Sequence, residues 1–66
     1  MDPKACWERM QERLENGDVR TAQSAAGELN EWLEKGGFVP EVRLGGKPYV
    51  CTREVIMYIL DFVLGL

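Results

Sequence analysis

The 66-residue chain has no histidine and only two cysteines, Cys6 and Cys51. Without histidine there is no Ser-His or Cys-His nucleophile pair, no imidazole acid–base chemistry and no zinc site with a histidine ligand. Two cysteines so far apart in sequence are too few for a four-thiolate zinc site. Both read as small buried hydrophobes, with a Cys6–Cys51 disulfide as the alternative in an oxidising compartment. Positive charge is scarce: eight Lys and Arg against eleven Asp and Glu leave a net charge of −3. A basic field for nucleic acid or an anionic membrane is therefore missing. Long apolar runs are missing too. The most apolar stretch, 55–66, is shorter than the ~20 residues a membrane span needs, and the opening Met-Asp-Pro-Lys-Ala-Cys-Trp has no apolar signal core. The expectation is a cytoplasmic protein with reduced thiols, no cofactor and no membrane contact.

What is present reads as one small globular domain. The chain is 45% hydrophobic and 29% charged, a balance that places it outside the disordered class. A domain of this length buries only about 60% of the surface its unfolded chain exposes, so many such domains rely on a disulfide, a metal or a second subunit. The charge is uneven: residues 1–35 carry the whole net −3, and residues 36–66 are neutral.

Helical punctuation is clear in the first half. Asp2-Pro3 is a cap followed by a first-turn proline. Cys6, Trp7, Met10 and Leu14 then recur at helical spacing, and Asn16-Gly17 is a stop. The spacing predicts a helix over about 3–15. Asp18 caps a second helix over about 19–35, with Ala22, Ala25, Ala26, Leu29, Trp32 and Leu33 on its apolar face and Gly36-Gly37 beyond its end. The link at 16–18 is short, so the two helices are expected to lie antiparallel. Residues 38–51 change character. Val42 and Leu44 alternate with polar neighbours, Gly45-Gly46 suits a two-residue turn, and Pro48 belongs on an edge. The segment is either a short β-hairpin or an extended loop. Thr52 and Glu54 open a last helix over about 53–64. The fold class expected is mostly α, as a small α+β domain.

The last helix carries the main functional expectation. At about 100° per residue, Glu54, Tyr58, Asp61 and Gly65 share a narrow stripe, and the other positions from 55 to 66 are apolar over roughly 220°. One core-facing stripe needs only about 100° or so. A surplus that large predicts an interface, and a two-fold homodimer is the commonest solution. The expected interface residues are Ile56, Ile59, Leu60, Val63, Leu64 and Leu66. The competing readings are a monomer that wraps this helix completely, and docking on a different protein.

Other features are weaker as chemistry. Glu8, Glu12 and Glu15, and likewise Glu28 and Glu31, recur at helical spacing but are interleaved with Arg9, Arg13 and Lys35, as on a solvated helix face. Leu44-Gly45-Gly46-Lys47 lacks the spacing and the hydroxyl residue of a P-loop. Cys51 lies just before a helix start, where a thiol can be activated, but no histidine is there to pair with it. Arg43, Lys47, Tyr49 and Arg53 form a small basic and aromatic group, the basis for an alternative reading as a nucleic-acid accessory protein. The principal expectation is a non-catalytic protein that works by self-association or by binding another protein.

Three resemblances are visible in the residues. Residues 3–35, with Gly17-Asp18 between two amphipathic helices, resemble one helical hairpin of a tetratricopeptide-type repeat. The segment Glu31-Trp32-Leu33-Glu34-Lys35-Gly36-Gly37-Phe38-Val39-Pro40 resembles short bacterial or phage-type proteins with a helical hairpin followed by Gly-Gly-Phe-x-Pro, a group without an established activity that transfers no site residue. Thr52-Arg53-Glu54-Val55 resembles the opening of the helix-turn-helix of excisionase-type proteins, but no second, recognition helix follows it here.

Overall fold

The computed structural model describes residues 1–44, 47–49 and 52–66. The Gly45-Gly46 turn and Cys51 lie outside the described residues, as do the side chains of Arg43, Leu44, Pro48 and Tyr49. The chain is mostly helical. Helix α1 spans Pro3–Glu15, α2 spans Val19–Glu34 and α3 spans Arg53–Leu64, with two short strands, β1 (Val42–Leu44) and β2 (Lys47–Tyr49), between α2 and α3.

Each helix starts on a side-chain cap. The Asp2 carboxylate accepts from the Lys4 and Ala5 amides, that of Asp18 from the Thr21 amide, and the Thr52 hydroxyl from the Val55 amide. These bonds satisfy amides that a helix leaves without an internal partner. The first two helices end in the same way. Gly17 takes φ +77° and Gly36 φ +88°. Around them, the Gly17 and Asp18 amides donate back to the Leu14 and Arg13 carbonyls, and the Gly36 and Gly37 amides to those of Leu33 and Trp32. This is the Schellman arrangement, which needs a residue tolerant of positive φ just beyond the helix. Asp18 thus closes α1 with its backbone and opens α2 with its side chain. The second helix stops at Glu34, with Lys35 as its C-cap, one residue short of the expected end.

Helix α2 is the centre of the molecule and packs against both α1 and α3. Its alanines make this possible. Ala22, Ala25, Ala26, Leu29 and Leu33 are all buried, and the small side chains let neighbouring helices approach closely. The Cys6 thiol of α1 comes near enough to donate to the Ala25 carbonyl at 3.1 Å. Trp7 and Met10 from α1, and Ile56 and Leu60 from α3, complete the core. In the ribbon, Val42 pairs with Tyr49, Arg43 with Pro48 and Leu44 with Lys47, antiparallel. A two-stranded ribbon is marginal alone; here Val42 is buried in the core and β1 lies against α1.

Among the described elements, α2 is the only helix that packs along α3. A single neighbouring helix shields only part of a helix's circumference, so α3 stands at an edge of the bundle.

Candidate interaction surface

Two side chains hold α3 in place at opposite ends of α2. The Arg53 guanidinium, at the start of α3, donates to the Leu33 carbonyl and, at 3.1 Å, to the Gly37 carbonyl. Leu33 belongs to the last turn of α2, whose carbonyls a cation suits, and Gly37 lies in the segment just beyond it. At the other end, the Gln23 amide donates to the Val63 and Leu64 carbonyls at 3.2 and 3.4 Å. Each helix therefore caps the C-terminal end of the other, and α2 and α3 run in opposite directions. The two attachments also set the rotation of α3 about its own axis.

That rotation divides the expected interface set. Ile56, Leu60 and Val63 lie in the chain's own core, with Ile56 and Leu60 completely shielded. These three face α2, the one helix that packs along α3 among the described elements. Ile59 is half-buried and packs against the core. Leu64 and Leu66 stay exposed, at 38% and 60%. The uncovered side is formed mainly by residues outside the expected set: Val55 is 48% exposed, Tyr58 76% and Phe62 67%. Positions 55, 58 and 62 follow a three-then-four spacing, so they make one stripe along the helix, and Leu66 continues it past the last turn. A signal for this stripe was available in the sequence. Glu54 and Asp61 cannot face a core unpaired, so the residues around them mark the wet side.

The basic and aromatic group does not assemble into a described surface. Arg53 is turned back onto the Leu33 and Gly37 carbonyls. Lys47 is exposed, and the side chains of Arg43 and Tyr49 lie outside the described residues. The carboxylates of the first two helices are solvated. Glu8, Glu12 and Glu15 are exposed, Glu28 pairs with Arg9 at 2.5 Å, and Glu31 pairs with Lys35 at 2.7 Å. Lys35 holds the Glu31 carboxyl below its ordinary range, and Glu31 raises Lys35 in turn. Burial pushes the Cys6 thiol up, against the pull of Arg9, which is the opposite of an activated nucleophile. Two open hollows meet at Met1 and Glu28, one reaching Trp32 and Lys35, the other Cys6 and Arg9. Their charged groups are largely paired with one another.

Among the described residues, no helix is long and apolar enough to cross a membrane. No family model, curated protein or solved structure matches the chain.

Proposed function

We propose that this is a non-catalytic protein that associates with a second copy of itself through the outer face of α3. The helix pair α1–α2, in the antiparallel arrangement expected from its short link, and the β1–β2 ribbon serve as the platform that presents this face. The observation that carries the reading is the stripe of Val55, Tyr58 and Phe62 along one side of α3, continued by Leu66 just beyond its end, four large apolar side chains each about half or more exposed. Singly exposed apolar residues need no explanation, but a contiguous row of them marks an interaction surface. Tyr and Phe also suit an interface centre, since each brings a large rigid area at small entropic cost. Two copies meeting on this stripe and its margins would bury roughly 1,000 Å², close to the lower bound for a specific interface. An area that small supports a reversible dimer of about micromolar affinity or weaker.

The test is the solution mass by size-exclusion chromatography with light scattering over a range of concentrations. The wild-type chain is expected to move from monomer towards dimer. Tyr58→Glu and Phe62→Glu are expected to remain monomeric with unchanged circular dichroism, because both positions are exposed in the single chain. A wild-type chain that stays monomeric to millimolar concentration overturns the reading.

A further inference from the structure

Asp61 is poorly suited to the helix it occupies. It lies in the last turn of α3, where the macrodipole disfavours an acid, and aspartate is a weak helix former. That turn contains no basic residue, and neither of the ion pairs among the described residues involves Asp61. A residue that opposes its local structure without local compensation marks a functional constraint. The position of Asp61 around α3 indicates which one. At about 100° per residue, Glu54 and Asp61 lie about two turns apart along one edge of the exposed stripe, within about 60° of Tyr58 around the axis. Both acids are exposed. Arg53 is the one base in α3, and its guanidinium is turned away to the Leu33 and Gly37 carbonyls.

We infer that Glu54 and Asp61 act as an electrostatic brake on association through this face. The inference rests on the self-association reading. When two copies meet on the stripe, the acidic edge of each is carried to the rim of the same contact, in chains that each already carry a net −3. Arg53 stays bonded to the Leu33 and Gly37 carbonyls, so no base of α3 sits on that rim, and an antiparallel pairing of the two helices brings both acidic edges to the same side of the contact. The repulsion reaches about 30 Å at 0.01 M salt and about 8 Å at 0.15 M, whereas the apolar contact is not screened. Salt therefore tightens this association, where an interface held by ion pairs would loosen. Such a brake keeps a small apolar face reversible in its pairing.

Sedimentation equilibrium of the wild-type chain, Asp61→Asn and the double variant Glu54→Gln/Asp61→Asn, at about 20 mM and about 300 mM sodium chloride, tests this. The wild-type Kd is expected to fall by roughly three- to tenfold between the two salts, and the double variant is expected to be tighter than wild type by a similar factor at low salt only. A purely structural role for Asp61 would raise the melting temperature of Asp61→Asn and leave the salt slope of Kd unchanged, and that result overturns the brake. So does a wild-type dimer that loosens with salt or ignores it; in both cases the self-association reading stands. If all three chains are monomers at both salts, the self-association reading itself fails and the brake fails with it.

Discussion

Gly37 is constrained by space, while its neighbour Gly36 is constrained by backbone conformation. A Cβ on Gly37 would run into the indole of Trp32, against both ring carbon and ring nitrogen. That indole is fixed in turn: its N–H donates to the Phe38 carbonyl at 3.0 Å, and the Phe38 ring meets it edge-on at 5.5 Å and 89°. Gly36→Ala should cost about 1–2 kcal/mol for its positive φ, and Gly37→Ala more, about 2–4 kcal/mol, because a packed ring and its hydrogen bond must shift. Urea denaturation of the two variants checks the order. Asp18 makes a prediction of a different kind. Its hydrogen bonds with Thr21 hold its carboxyl below the ordinary value of 3.8. The unfolded chain therefore takes up this proton more readily than the folded one. The resulting stability is present above about pH 3.8 and is lost as pH falls through the lower folded value. Asn is an equally good cap, so Asp18→Asn should leave neutral-pH stability nearly unchanged and flatten the acid limb, as read by thermal melts between pH 2 and 7.

At the scale of elements, the reciprocal capping of α2 and α3 makes Arg53 the structural link between them. Its two bonds need the planar fork of a guanidinium, and an ammonium cannot copy that geometry. Arg53→Lys and Arg53→Met are both expected to lose about 1–2 kcal/mol, with Lys giving little rescue, measured by denaturant midpoint. The bounds of the helices were readable in advance because their signals are local: a capping oxygen acts on amides two or three residues away, and a glycine at positive φ acts on the turn that contains it. The rotation of α3 was not readable from its own residues in the same way. With apolar residues over most of its circumference, many rotations bury similar area, and the choice depends on bonds from Gln23 and Arg53 that span 40 and 20 residues of sequence. Only the two acids, Glu54 and Asp61, pointed to the outer side.

For the whole molecule, the two sides of α3 should fail differently. Leu60→Glu or Val63→Glu places a charge in the core and is expected to abolish the cooperative thermal transition, whereas Phe62→Glu should keep it. A wild-type dimer also implies a melting temperature that rises with protein concentration, since association stabilises the folded chain by mass action. Phe62→Glu should remove that dependence, and differential scanning calorimetry at two concentrations reads both effects.

The sequence by itself determined a mostly helical chain, the ends of its helices and the presence of more apolar surface on the last helix than one stripe requires. These follow from interactions within a few residues of one another and from simple counting of apolar positions. Only the tertiary structure decided that α2 is the central helix, that α3 is an edge helix with a single helical neighbour among the described elements, and that Val55, Tyr58 and Phe62 are on the outside while Ile56, Leu60 and Val63 are within. The physical reason is that burial is a property of pairs of elements: a helix cannot specify which of its apolar sides is covered until the element that covers it has been placed.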